Sequence, residues 1–192
     1  MKHIVLLDGH PDPDRDRFVH ALADSYAMGA KAGGHEVMRI ELATLDFPLL
    51  RTRAAWDKEP PPPAIAQAQT MLAWADHIAI FYPLWLGDVP ALLKGFLEQA
   101  LRPGFALDEG VAGPKPAMLR GKSARLVVTM GMPALFFRFY FGAHSVKSFE
   151  RNILKLIGVR PVRHTLVGGV EGSADERARA LDDLFELGRA GI

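Results

Sequence analysis

Five short apolar runs, each separated from the next by a helix-length segment, constrain this chain more than any other feature of it. They are His3 to Leu7, Val37 to Leu42, Asp76 to Tyr82, Ala124 to Met130 and Val162 to Val167. His3 to Leu7 shows no apolar–polar alternation, the pattern of a strand buried on both faces. Between the runs lie helical segments. Phe18 to Lys31 carries Phe18, Leu22, Ala23 and Tyr26 at helical spacing, and Gly33-Gly34 stops it. Ala64 to Trp74, Pro90 to Leu101, Ser145 to Ile157 and Ser173 to Gly188 are the others, the last opening with Ser173 and Glu176 at capping-box spacing. Leu45 to Pro63 ends in four prolines and reads as irregular. Arg102 to Lys122 reads as a long loop rich in Gly and Pro, and a loop follows Met130.

Short buried strands alternating with helices demand a parallel sheet covered on both faces. Five such units in 192 residues predict an α/β, flavodoxin-like three-layer fold with strand order 2-1-3-4-5, over a single domain spanning residues 1 to 192. Composition narrows the chemistry. Lys plus Arg number 23 against 22 Asp plus Glu, so nothing invites nucleic acid or an anionic membrane. With no cysteine, disulfides, thiolate metal sites, Fe–S clusters and Cys nucleophiles are excluded. The apolar stretch after Met1 is too short for a signal sequence, and Leu126 to Phe137 is too short for a membrane span. The expectation is a soluble, cytoplasmic protein.

Phe81 to Ala106, FYPLWLGDVPALLKGFLEQALRPGFA, carries the most chemical information. Pro90 stands where a helix would begin, where its missing N–H costs nothing. Pro83 to Asp88 is therefore a loop between the carboxyl end of a buried strand and a helix N-terminus, a ligand-binding position in an open α/β sheet. Leu84 and Trp85 beside Gly87 offer flat apolar surface next to free backbone N–H groups. That combination suits a flat heteroaromatic ring with polar edges. The stretch resembles the flavin-holding segment of the NAD(P)H:quinone oxidoreductases, with its "FP-L-x-W … VPA-x-LKG-x … FA" pattern. The resemblance implies that Pro83, Leu84, Trp85, Leu86 and Gly87 contact the ring.

Asp8 to Phe18, DGHPDPDRDRF, joins the first strand to the first helix, and a helix N-terminus there would bind an anion. His10, Arg15 and Arg17 could add donors or positive charge. The same family shows a "GHP…SF(N/T)" segment that holds the flavin phosphates, and Gly9, His10, Pro11 and Phe18 match it. Arg17 occupies the place of the family serine and the loop is longer, so Arg17 or Arg15 is expected as a phosphate ligand. Calcium binding at Asp12-x-Asp14-x-Asp16 fails, because Arg17 replaces the required Gly and Ala23 the required Glu. No dinucleotide fingerprint or P-loop is present. No metal is expected.

The fourth strand ends Thr129-Met130-Gly131, similar to the family's "TTGG" turn at the pyrimidine edge of the flavin. Past it the family places a Tyr and a His in the pocket, and Tyr140 and His144 are the candidates. His3, His20, His35, His77 and His164 have no constellation visible in sequence. Gln69 matches a cofactor-side glutamine of some relatives only weakly. The resemblance implies ping-pong transfer of hydride from NAD(P)H through the flavin to a quinone or similar acceptor. It also implies a homodimer with its active sites at the subunit interface, which the apolar-aromatic Leu135 to Phe141 supports. FAD is expected over FMN, because the longer first loop and its arginines suit a pyrophosphate. The alternative is a flavin-binding regulatory or electron-carrier protein, such as an ancillary subunit of an ion-efflux system.

Overall fold

The computed structural model describes residues 1–108, 115–116 and 119–192. All five apolar runs are strands: β1 (His3–Asp8), β2 (Glu36–Glu41), β3 (His77–Pro83), β4 (Ser123–Met130) and β5 (Val162–Gly168). They pair in parallel in the order β2-β1-β3-β4-β5. This is the expected order. All seven residues of β3 are buried, as a central strand covered on both faces requires.

Side chains alternate across the sheet, so two cores form. Ile4, Leu6, Ala79, Phe81 and Val127 face α1 (Phe18–Ala32) and α7 (Ala174–Arg189). Val5, Leu7, Ile80, Leu126 and Val128 face α3 (Pro63–Trp74) and α4 (Ala91–Ala100). The capping box is real: Glu176 N–H donates to Ser173 Oγ at 3.3 Å, and Ser173 N–H donates back to Glu176 Oε2 at 3.2 Å. α1 and α7 touch through glycines. A Cβ at Gly29 would stand 1.9 Å from Phe185 O, and one at Gly188 would stand 2.1 Å from Tyr26 O.

The irregular regions hold more structure than the sequence pattern implied. A short helix α2 (Arg53–Asp57) lies before the prolines, with Thr52 Oγ1 accepting from Ala55 N–H at 3.0 Å. A helix α5 (Ala134–Phe139) replaces the loop expected after β4. The single helix expected over 145–157 is instead α6 (His144–Ser148) running into a π-helical turn, Phe149–Leu154. Part of the long 102–122 loop, residues 109–114 and 117–118, lies outside the described residues. A two-residue antiparallel pair, Leu107–Asp108 with Lys115–Pro116, occurs within it. Among the described residues no helix is long and apolar enough to cross a membrane.

The topology fixes where a ligand can go. From β1 the chain steps outward to β2, then jumps back across β1 to β3. Loops leaving β1 and β3 therefore diverge to opposite faces, and a crevice opens between them at the carboxyl edge.

Candidate functional site

An open cavity of about 520 Å³ occupies that crevice, within the usual range for small-molecule sites. One wall is the turn from β1 into α1: His10, Asp12, Asp16 and Arg17, then Phe18 and Val19. The floor and opposite wall are Pro83, Leu84 and Trp85 at the end of β3, with Thr129, Met130 and Gly131 at the end of β4. The last side is Val170, Glu171 and Arg177, between β5 and the first turn of α7.

Local chemistry shapes each wall. Gly9 N–H donates to Phe81 O at 2.7 Å, and a Cβ on Gly9 would lie 2.9 Å from both that oxygen and a Leu93 methyl. Only glycine lets the turn cross so close to β3. The acidic residues then fold the turn on themselves. Asp14 N–H donates to Asp12 Oδ1 at 3.0 Å, and Asp16 N–H to Asp14 Oδ1 at 3.1 Å, a run of Asx turns. At the end of the run Arg17 is the N-cap of α1, and an arginine side chain cannot accept a hydrogen bond. No acidic residue occupies the first turn. The His20 N–H is met by the Arg17 carbonyl at 3.0 Å, but Phe18 and Val19, which line the cavity, open α1 without a side-chain cap, a position that favours an anion.

Beyond β3 the backbone closes a tight hairpin. Trp85 N–H donates to Asp88 O and Asp88 N–H to Trp85 O, both at 3.0 Å. Leu86 and Gly87 turn it with φ of 49° and 80°. Leu84 N–H donates to Thr129 O at 2.8 Å and ties this loop to the end of β4. Trp85 meets His10 edge-on, ring centres 5.7 Å apart. Burial and then the neighbouring His20 push the His10 pKa down, so the ring is neutral at ordinary pH. Its Nδ1 accepts from Asp12 N–H at 3.0 Å, which leaves the Nε2 proton free to donate. Asp12 is held below the usual carboxylate range, first by the Asp14 N–H and also by Arg17.

The cavity thus gathers His10, Arg17, Phe18, Pro83, Leu84, Trp85, Thr129, Met130 and Gly131. It does not gather the other candidates. Arg15 is exposed and pairs with Glu41 at 3.0 Å. Leu86 and Gly87 form the hairpin tip outside its lining, with Leu86 wholly exposed. Tyr140 stacks on Phe136 with ring centres 4.8 Å apart, and its side of the chain is exposed. His144 is exposed too and folds back over Gly142, whose Cβ would meet the imidazole at 2.7 Å.

Two groups went unread in the sequence. Arg177 reaches the cavity from α7, and the rule that strand-end loops build the site would have pointed there, because β5 ends on the same edge. The other is His20, buried behind the β1 turn. Its Nδ1 lies 2.6 Å from Asp8 Oδ2 and its Nε2 lies 2.9 Å from the carbonyl of Asp12. Arg39 donates to the same Asp8 oxygen at 2.7 Å and also pairs with Asp24. Glu41 lies 2.8 Å from Arg39 Nε without hydrogen-bond alignment. Burial opposes the Arg39 charge, yet the bonds to Asp24 and Asp8 hold its pKa above the ordinary value.

A sequence model of the flavodoxin-like fold family matches residues 2–186. An uncharacterized NAD(P)H oxidoreductase of Haemophilus influenzae is 26% identical over 188 residues, covering 96% of this chain and 92% of its own. The fold is similar to that of an NAD(P)H:quinone oxidoreductase from Methanothermobacter marburgensis, at a TM-score of 0.83, 23% identity and coverage of 98% and 96%. It is also similar to an FMN-dependent NADH-azoreductase from Bacillus anthracis in complex with FMN, at 0.78, 13% identity and 99% of each chain.

Proposed function

This chain belongs to the flavodoxin-like fold family, and on that premise we propose that it is a flavin-dependent NAD(P)H oxidoreductase serving a quinone or similar small acceptor. The observation that carries the reading is the cavity itself. It joins an uncapped helix N-terminus to a flat apolar floor at the sheet's switch point. A flavin has the same two ends: an anionic phosphate and a flat ring. The relatives named for NAD(P)H oxidoreduction agree with it.

The residues fit the group. The opening N–H groups of α1, His10 Nε2 and the guanidinium of Arg17 would receive the phosphate end. Leu84 and Trp85 would lie against the ring, with the Thr129–Gly131 turn at its polar edge. When bound, a flavin supplies a two-electron relay, taking hydride from NAD(P)H and giving it to the acceptor that enters in turn. The chain's part is to orient the ring, exclude water from one side and set the charge around it. Two guanidiniums, Arg17 and Arg177, line the cavity and suit a pyrophosphate, so FAD is the form proposed. The FMN complex of the azoreductase makes FMN the rival.

The whole chain is proposed as one flavin-binding domain that pairs with a second copy. Leu135, Phe136, Phe139, Tyr140 and Phe141 are exposed on and beside α5, more apolar bulk than a solitary surface usually carries. Tyr140 and His144 lie at this face, so their expected role belongs to the paired state. Heat-released cofactor resolved by chromatography tests the reading. The expected result is one flavin per chain, and its retention time separates FAD from FMN. Purified protein that is colourless and takes up neither form at tens of micromolar would refute the proposal.

A further inference from the structure

We propose that His20 is a buried imidazolium that fixes the β1–α1 turn in the shape that receives the cofactor's phosphate end, acting as a positioning residue through Asp12. The inference rests on the flavin reading above for its ligand, and on hydrogen-bond chemistry for its charge.

Both partners of the His20 ring can only accept. One is the carboxylate of Asp8, 2.6 Å from Nδ1; the other is the main-chain carbonyl of Asp12, 2.9 Å from Nε2. A neutral imidazole has one donor and one acceptor, so it would set a lone pair against one of these oxygens. Only the doubly protonated ring satisfies both. The surroundings can hold that charge. Asp8 is almost wholly buried at the end of β1, and it accepts from His20, from Arg39 on β2 at 2.7 Å and from His10 N–H at 3.3 Å. Asp24 on α1 takes the other side of Arg39. The cations Arg39 and His20 thus stand against Asp8 and Asp24, and the nearby His10 is neutral.

What the charge does follows from Asp12. His20 grips its carbonyl, His10 Nδ1 accepts from its N–H at 3.0 Å, and its carboxylate lies 2.8 Å from Arg17 Nε. Asp12 is therefore the joint that aims two cavity-lining donors, His10 Nε2 and the Arg17 guanidinium. His20 does not line the cavity. Remove its charge and the joint loosens, while Leu84 and Trp85, which meet the ring end, stay where they are. The effect should fall on the phosphate and spare the ring.

The test has two parts. In ligand-free wild type at neutral pH, ¹⁵N spectra of the histidine rings, assigned in the wild type itself by through-bond correlation of each ring to its own backbone, should show both His20 nitrogens protonated. A neutral tautomer would overturn the proposal whether or not the variant folds. Fluorescence titrations with FMN and with riboflavin, which lacks the phosphate, then compare wild type with His20→Gln. The expected result is FMN affinity weakened by roughly tenfold, the scale of a lost charge-assisted contact, with riboflavin affinity unchanged. Equal weakening of both ligands would assign His20 to packing and overturn its role in positioning. Wild type that binds neither flavin, with His20 doubly protonated, would instead overturn the functional reading and with it the phosphate role, leaving the charge assignment in place.

Discussion

Asp8 and His77 mark opposite ends of the sheet and meet burial in opposite ways. Asp8 keeps its charge company with Arg39 and His20. Among the described residues His77 has only Ser123 Oγ, 2.7 Å from Nδ1, and its buried Nε2 meets no partner there. Burial, and then the positive charges of Lys2, Arg125, Arg163 and His35, push its pKa down from 6.5 to about 3. The unfolded chain therefore binds a proton near pH 6.5 that the folded chain refuses until about pH 3. Stability from this group is full above that upper value and declines as pH falls below it, by about 2 kcal/mol at pH 5. Urea unfolding at pH 7.5 and at pH 5 measures the loss, and His77→Leu should remove most of it. Equal losses in wild type and variant would show that another group controls the transition. The arginines give a second test at this scale. Arg17→Ala should weaken flavin binding by several-fold to tenfold, whereas Arg15→Ala should leave it unchanged, because Arg17 lines the cavity and Arg15 lies outside it beside Glu41. A titration that ranks them the other way would move the phosphate out of the cavity described.

At the scale of elements, the glycine contacts between α1 and α7 bear directly on stability. In a helix interior a glycine usually costs stability relative to alanine. Gly29→Ala should do the reverse here and destabilise the fold by about 1–3 kcal/mol, because the new methyl would occupy the space of the Phe185 carbonyl and overpack the contact. Thermal or urea unfolding checks this, and a stabilised variant would mean the helices part freely. The same contacts show what the sequence could and could not reveal. Buried runs, the Gly33-Gly34 stop and the Ser173 capping box are local signals, and each was legible. The glycine contacts were not, since Gly29 and Phe185 meet only after folding. Helix α5 escaped because six residues rich in aromatics, framed by Pro133 and Gly142, carry no helical period to read. His20 escaped for the reason that also makes it interesting. Its partners stand 12 and 8 residues upstream, and Arg39 comes from another strand. The cavity floor, by contrast, was visible as a strand end followed by Leu-Trp and a helix-opening proline.

For the whole molecule, the exposed face of α5 and the open cavity are two parts of one expectation. Light scattering should give twice the mass of the 21.1 kDa chain, and Phe139→Asp, at a side chain 78% exposed, should return the mass to a single chain without unfolding it. A monomeric wild type would remove the interface and leave Tyr140 and His144 as surface residues. The central claim, that the cavity holds a flavin which exchanges electrons with a nicotinamide, is tested most directly by mixing flavin-loaded protein with NADH or NADPH in an anaerobic stopped-flow cell. The oxidised flavin absorbance should bleach within milliseconds to seconds and recover when a quinone is added. A bound flavin that stays oxidised in the presence of both nucleotides would contradict that claim and identify the chain as a flavin carrier or regulator.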